Sequence, residues 1–100
     1  MKIIVIIPTY KEGNSISRLI DAVEKEFKLI ANHQMSILIV DGNSPDNTIE
    51  IVKNKAGLYS NIDFIIEKEK RGLGMAYITG MNYAIKNLKA DAIIEFDGDF

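Results

Sequence analysis

Cysteine is absent from the sequence, so a disulfide framework, a thiolate zinc site and a cysteine nucleophile are excluded within this chain. Positive charge is not in excess either: the formal net charge of -2 provides no broad attraction to a polyanion, and we expect no nucleic-acid partner. No apolar run approaches the roughly 20 residues needed to cross a bilayer. Met1-Lys2 leads into a short apolar run rather than a signal peptide. We therefore expect a protein of the cytoplasm or of the cytoplasmic face of a membrane, without a transmembrane segment in this chain.

The remaining composition, 100 residues of which 47% are apolar, is that of a single domain with a modest core. Apolar runs rich in β-branched residues alternate with helical patterns, which predicts strands at 2–7, 36–41, 62–66 and 92–96 and helices at about 15–30, 48–56 and 73–88. This order predicts a three-layer α/β/α, Rossmann-like fold with a mostly parallel sheet. If the chain winds outward from the first strand and then returns past it, the strand order is 3-2-1-4.

Local signals refine the boundaries and faces of these elements. We expect Pro8 to end the first strand by removing a ladder donor, and Gly57 to end the second helix. Along the first helix, an apolar stripe at helical spacing predicts the core face, and Glu24 is expected on the solvated side with Lys28. The stripe consists of Ile16, Leu19, Ile20, Val23, Phe27 and Ile30. On the third helix the predicted core face carries Ile78, Met81, Ile85 and Leu88, with Ala84 beside them. His33, the only histidine, is expected at the surface.

Ligands of open α/β sheets bind beyond the carboxyl ends of the strands, where the strand order reverses. Here that point lies between strands one and four, so the loops 8–13 and 97–100 should meet there, with 41–47 alongside. In the loop after the fourth strand, Asp97-Gly98-Asp99 offers two carboxylates that suit a hard divalent cation, Mg²⁺ or Mn²⁺. Taken alone, the segment is more typical of a polar turn after a buried strand. Its predicted position at the reversal favours a metal site.

Other polar residues of these loops have both a binding and a structural interpretation. The ring of Tyr10 could lie against a flat base or ribose while Glu12 accepts a sugar hydroxyl, or the segment is a plain strand-to-helix loop. Asp41 could accept a base N–H or a ribose hydroxyl, or bond the turn that follows it. Lys70 and Arg71 could offset diphosphate charge, although their Glu-Lys-Glu-Lys context is typical of a solvated loop.

Four ordered segments resemble the family-2 glycosyltransferases, closest to the branch of dolichyl-phosphate or polyprenyl-phosphate mannosyl- and glucosyltransferases. They are 8–14 (PTYKEGN), 40–48 (VDGNSPDNT), 71–77 (RGLGMAY) and 97–99 (DGD). The resemblance implies a GT-A fold and the inverting transfer of a sugar, mannose or glucose, from a GDP- or UDP-sugar to an acceptor such as a polyprenyl or dolichyl phosphate. It also implies a divalent metal, Mg²⁺ or Mn²⁺, as cofactor.

The same resemblance assigns roles residue by residue. It implies a nucleotide pocket and a metal site in which Asp97 and Asp99 are the ligands. The implied nucleotide-binding residues are Pro8, Tyr10, Glu12, Asp41, Arg71 and Asp97.

Two departures from the family pattern limit these expectations. The family usually has two adjacent aspartates after the second strand, where this chain has Asp41-Gly42. A GT-A domain also normally needs about twice this length. We therefore expect residues 1–100 to be the nucleotide-sugar-binding half, with the acceptor half and the catalytic residues beyond Phe100. The fragment alone should be inactive and could self-associate through an uncovered edge at strand four.

Two alternatives remain at this point. A phosphoacceptor domain resembling response-regulator receivers is suggested by the acidic end of 37–41 (ILIVD), although in receivers the acidic strand end comes first in the chain. The other alternative is a non-catalytic nucleotide-binding module.

Overall fold

The computed structural model describes residues 1–96, which form strands and helices in strict alternation. All seven predicted elements are present, with ends shifted by a few residues. Their bounds are β1 Lys2–Thr9, α1 Ile16–Phe27, β2 Gln34–Asp41, α2 Thr48–Leu58, β3 Ile62–Ile66, α3 Leu73–Lys86 and β4 Ala92–Glu95.

The four strands form one parallel sheet in the order β3-β2-β1-β4, as predicted. In flavodoxin-like sheets, which include the receivers, the first strand lies between the second and the third. Here β1 lies between β2 and β4 instead. The strand order therefore removes the receiver alternative.

Side chains alternate between the two faces along each strand, so apolar residues lie on both faces of the sheet. Helices cover each of these faces. Val5, Ile7, Ile37 and Ile39 pack with α1 and α2 in one core cluster. The intervening residues Ile4, Ile6, Leu38 and Val40 pack with α3 in a second cluster. Near-continuous apolar strands are thus explained by burial on both faces, and the predicted three-layer architecture is confirmed.

β1 continues through Pro8 to Thr9, so the prediction that Pro8 ends the strand is wrong. The Gly42 N–H donates to the Thr9 carbonyl (3.0 Å), whereas the Phe96 N–H donates to the Ile6 carbonyl (2.9 Å). Backbone groups of odd-numbered β1 residues thus face β2 and those of even-numbered residues face β4. The donor that Pro8 lacks would point toward β4, so the β1–β2 ladder is not interrupted.

On α1, Glu24 is buried, contrary to its predicted place on a solvated face. Its Oε1 accepts a hydrogen bond from the Asn61 amide (2.9 Å), whereas Lys28 is exposed. The reason is that α1 packs against α2 as well as against the sheet, which covers a second face of the helix. The predicted stripe is buried at its start, but Ile30 lies beyond the end of the helix and is 39% exposed.

On α3, small residues rather than large ones face the sheet. Ala76, Gly80 and Ala84 are buried at a spacing of four, whereas Ile78 and Ile85 are 49% and 56% exposed. A Cβ added at Gly80 would lie 2.8 Å from the Ile6 Cγ2. The helix therefore lies too close to the sheet for isoleucine side chains to fit between them. For this reason the prediction that Ile78 and Ile85 belong to the core face was wrong. In α2, Gly57 lies within the helix, which ends at Leu58.

β4 is an edge strand of the sheet formed by residues 1–96, as predicted. Ile94, on this strand, and Phe96, just after it, are partly exposed. Both line an apolar groove of about 330 Å³ beside α1. Whether this edge mediates self-association stays a prediction. Within residues 1–96, none of the helices combines the length and the apolar character that a membrane span requires.

Candidate functional site

A cleft of about 400 Å³ opens at the carboxyl ends of β1, β2 and β3, on the face covered by α3. Its volume lies toward the lower end of the range typical of small-molecule sites. Apolar side chains line it together with an aromatic ring, two carboxylates and one ammonium group. The lining residues are Pro8, Thr9, Tyr10, Glu12, Val40, Gly42, Glu67, Lys70, Gly72, Leu73 and Ala76.

The structure brings only some of the predicted nucleotide-binding residues together. Pro8, Tyr10 and Glu12 line the cleft, whereas Asp41 and Arg71 are not among its lining residues. Asp97 and Asp99 lie outside the described residues.

Asp41 faces away from the cleft because it has the same parity along β2 as Ile37 and Ile39, which pack with α1 and α2. Its carboxylate is buried and accepts three hydrogen bonds. The Thr9 hydroxyl donates to Oδ1 (2.6 Å), the Ser44 hydroxyl also to Oδ1 (2.8 Å), and the Ser44 N–H to Oδ2 (2.7 Å). These contacts match the structural interpretation of Asp41, in which it organises the turn that follows.

The loop after β2 holds the backbone of the loop that carries Tyr10 and Glu12. The Lys11 N–H donates to the Ser44 hydroxyl (3.0 Å) and the Glu12 N–H to the Thr48 hydroxyl (2.9 Å). Lys11 has a φ of 54°, a left-handed conformation that costs energy for a non-glycine residue and persists only when its surroundings enforce it. The 41–48 loop thus acts as a frame for the 9–13 loop.

Asp46 completes this frame, since its Oδ2 accepts the Gly13 N–H (3.3 Å) and its Oδ1 accepts the Thr48 N–H (3.0 Å) and hydroxyl. Sequence reasoning assigned no individual role to Ser44, Asp46 or Thr48, which it placed only within the family-like segment 40–48. A signal was available in the spacing, because small hydroxyl and carboxyl side chains recur at 44, 46 and 48, as expected where side chains bond nearby backbone.

The Thr48 hydroxyl bond, opposed by some burial, holds the pKa of Asp46 below its ordinary value, and the Thr48 and Gly13 N–H groups add to this. A carboxylate with a lowered folded-state pKa stabilises the fold above its unfolded-state pKa of about 3.9, and this contribution is lost as the pH falls through the folded-state value. We expect the difference in unfolding free energy between the wild type and Asp46→Asn to be constant from about pH 7 to about pH 5 and to shrink below about pH 4.

Urea denaturation at several pH values measures this difference. Asp63→Asn, on an exposed part of β3, is the matched control. A difference that grew as the pH fell would contradict the assigned role of Asp46.

Tyr10 lines the cleft, and two ammonium groups lie near its ring. The Lys70 Nζ is 4.4 Å and the Lys11 Nζ 5.4 Å from the centroid of its ring, which is the range of cation–π contacts. A Cβ added at Gly42 would lie 3.4 Å from both Tyr10 and Lys70 side-chain atoms, so this position leaves the ring room to lie against β2. It also contributes no carboxylate at the place where the family usually has a second aspartate.

Glu67 is a buried carboxylate in the wall of the cleft, although the sequence suggested a solvated loop. The Arg71 guanidinium (Nη2) and the Thr79 hydroxyl both donate to its Oε2 at 3.4 Å. Arg71 therefore contacts Glu67 from a half-exposed position instead of lining the cleft. Gly72, with a φ of 92°, turns the chain into α3 at the opposite wall.

A metal site is not formed by residues 1–96, where no group of three or more histidine, aspartate or glutamate side chains is close enough to share an ion. The predicted ligands Asp97 and Asp99 follow β4 directly in the sequence. Two carboxylates provide the hard oxygen donors that Mg²⁺ and Mn²⁺ prefer, so the chemistry of this donor pair fits such an ion.

Comparison with known proteins agrees with this architecture. Among curated proteins, the chain is 33% identical over 96 residues to glycosyltransferase AglE of Haloferax volcanii, covering 95% of the chain and 29% of that protein. It is 32% identical over 103 residues to the undecaprenyl-phosphate mannosyltransferase of Micrococcus luteus, covering 99% of the chain and 38% of that protein. The chain thus spans only 29% and 38% of the lengths of these two relatives.

Solved structures show the same fold. The mannosyltransferase PcManGT from Pyrobaculum calidifontis, in complex with GDP-Man and Mn²⁺, superposes with a TM-score of 0.71 at 25% identity over 82% of this chain and 24% of that chain. S. aureus TarS 1-349 in complex with UDP has a TM-score of 0.77 at 23% identity over 99% of this chain and 28% of that chain. The predicted GT-A fold is therefore confirmed. The family profile described as glycosyl transferase family 2 matches residues 4–100, and the chain belongs to that family.

Proposed function

We propose that residues 1–100 are the donor-binding half of an inverting glycosyltransferase that moves a sugar, mannose or glucose, from a GDP- or UDP-sugar. The observation that carries this proposal is the cleft at the carboxyl ends of β1 to β3, which Tyr10 and Glu12 line. The chain in which this cleft occurs belongs to glycosyl transferase family 2. Expected partners are the nucleotide sugar and an acceptor held by residues beyond Phe100.

The cleft has the chemistry that a nucleoside needs. Pro8, Val40, Leu73 and Ala76 provide apolar wall, while the Tyr10 ring offers a flat surface for a base or ribose. Glu12 can accept hydrogen bonds from ribose hydroxyls. The ammonium group of Lys70, an exposed residue of the cleft lining, provides positive charge for a diphosphate.

Asp97 and Asp99 would hold Mg²⁺ or Mn²⁺ at the end of β4, and Asp97 would also lie near the nucleotide. The metal supplies charge neutralisation for the departing nucleoside diphosphate without requiring a proton. Support comes from the structural relative that contains GDP-Man and Mn²⁺. In the transfer itself, an acceptor oxygen forms a bond to the anomeric carbon as the bond to the diphosphate oxygen breaks, on the opposite face of the sugar.

A polyprenyl or dolichyl phosphate is the acceptor that we favour, and mannose the sugar, because a relative covering 99% of this chain is an undecaprenyl-phosphate mannosyltransferase. A lipid acceptor would place the enzyme at a membrane surface, and we propose the cytoplasmic face. The acceptor site and the catalytic base would come from residues beyond Phe100.

The proposal predicts separable effects on nucleotide binding. In the full-length protein, Tyr10→Ala should lower the affinities for GDP and UDP about 10-fold with or without Mn²⁺, because the stacking of the base on an aromatic ring is lost. Asp99→Asn, at a position assigned to the metal alone, should leave the metal-free nucleotide affinity unchanged and remove the gain in affinity that Mn²⁺ provides. Isothermal titration with and without Mn²⁺ measures both effects, and Asp63→Asn is the control.

Failure of the wild type to bind either diphosphate would reject the proposal. Binding without sugar transfer from GDP-mannose or UDP-glucose to a polyprenyl phosphate would instead favour a non-catalytic nucleotide-binding module.

A further inference from the structure

Glu67 reaches the cleft from β3 because of strand parity. β2 and β3 pair in parallel with Asp41 opposite Ile66, and the Glu67 N–H continues this ladder by donating to the Asp41 carbonyl (2.8 Å). Ile62 and Phe64 pack on the α1 and α2 face, whereas Ile65 packs on the α3 face. Alternation therefore directs Glu67 to the α3 face, the same side as the cleft.

The carboxylate of Glu67 has acceptor capacity to spare. An ionised carboxylate has about four lone-pair sites. Both hydrogen bonds that it makes within residues 1–96 end on Oε2, and at 3.4 Å both are longer than the 2.7–2.9 Å typical of charge-assisted bonds. With a side chain only 3% exposed, it has little contact with bulk water outside the cleft that it lines. A ligand with paired N–H donors would satisfy it.

The charge distribution of the cleft also restricts the orientation of its occupant. The buried carboxylate of Glu67 lies in the wall, and the Lys70 ammonium lies beside Tyr10. A nucleoside diphosphate is complementary to this arrangement if its base directs N–H groups toward Glu67 and its diphosphate lies nearer the ammonium group.

We propose that Glu67 reads the base of the donor nucleotide and selects guanine, an inference that rests on the proposed nucleotide-sugar function. Guanine presents two adjacent donors, N1–H and the N2 amino group, which match the two oxygens of a carboxylate in a bidentate pair. Uracil presents a single N3–H between two carbonyl oxygens, and these oxygens repel a carboxylate. Adenine and cytosine each place a ring acceptor beside their amino donor. Glu67 is thus a specificity-determining residue for a GDP-sugar.

Three diphosphates that differ at this edge test the inference in the full-length protein. GDP has both donors, IDP keeps N1–H but lacks the N2 amino group, and UDP has one donor between two acceptors. We expect the wild type to bind GDP at least about 5-fold more tightly than IDP and more than about 10-fold more tightly than UDP, in line with the discrimination of a bidentate pair. Glu67→Gln should lower the affinity for GDP by at least about 5-fold while changing the affinity for UDP by less than about twofold. The preferences for GDP over IDP and over UDP should therefore be lost.

The matched control is Glu69→Gln, which removes the same charge from an exposed position of the same loop and should retain the GDP preference. If Glu67→Gln fails to fold by thermal denaturation, Glu67→Asp retains the charge, withdraws the carboxylate from the base and should still reduce the ratio of GDP to UDP affinity.

Equal or tighter binding of UDP by the wild type would overturn the inference while leaving the proposed function intact. An equal loss of affinity for all three diphosphates in a folded Glu67→Gln variant would also overturn it, since that result is expected of a residue that only supports the loop. Absence of any diphosphate binding by the wild type would overturn the proposed function, and the inference with it.

Discussion

Replacing Asp41 with alanine is expected to lower the free energy of unfolding by about 3 kcal/mol or more, the largest effect among these substitutions. The change removes the acceptor of three hydrogen bonds and leaves the hydroxyls of Thr9 and Ser44 and the Ser44 N–H without it. Both hydroxyl-bearing residues are buried, so water cannot easily replace the lost carboxylate. Chemical denaturation by urea measures the loss.

Two comparisons separate the hydrogen bonds of Asp41 from its charge. Asp41→Asn retains one acceptor oxygen but points an amide donor at the Ser44 N–H that Oδ2 now accepts, so its cost should be smaller than that of alanine. Asp63→Asn, on the exposed side of β3, should be nearly neutral. An alanine variant as stable as the wild type would contradict the role assigned to this carboxylate.

Replacing Gly80 with valine is expected to lower the free energy of unfolding by about 2 kcal/mol through overpacking. An added Cβ would lie 2.8 Å from the Ile6 Cγ2 and 3.1 Å from the Val40 Cγ2, and valine adds two further methyl groups. Ile6 and Val40 are fully buried in the middle strands and have little room to shift. The better helix propensity of valine returns only a few tenths of a kcal/mol. Because Val40 also lines the cleft, nucleotide affinity should fall with stability.

Gly57→Ala provides the control for this helix–sheet contact. No atom lies within 4 Å of a Cβ added at Gly57, which is also helical and exposed. Its stability should be unchanged or slightly higher, as expected for alanine at an open helical position. A similar loss of stability in both variants would show that the close approach of α3 does not determine the effect.

The order of elements and the strand order were predictable because they depend on patterns that extend along the whole chain. Continuous apolar strands alternating with helices allow few topologies once right-handed crossovers are required. The positions of Pro8, Tyr10 and Glu12 at the cleft follow from the same topology, since the carboxyl ends of parallel strands share one edge of the sheet.

Errors arose where a neighbouring element changes the environment of a residue. Glu24 is buried by α2, and Ile78 and Ile85 are exposed because α3 approaches the sheet through Gly80. Neither effect is encoded in the periodicity of a single helix. The sides of the sheet to which Asp41 and Glu67 point were accessible from parity, but only once the register with the buried strand residues was known.

The frame formed by the 41–48 loop separates two tasks that many binding sites combine in one segment. Its side chains fix the backbone of the 9–13 loop, while Tyr10 and Glu12 remain directed at the cleft. The conformational entropy of that loop is therefore lost when the protein folds, so the nucleotide that we propose as the ligand would meet a surface that is already ordered. Under the proposed function, the specificity for the donor could therefore change through new side chains on the loops after β1 and β3, with the supporting scaffold left intact.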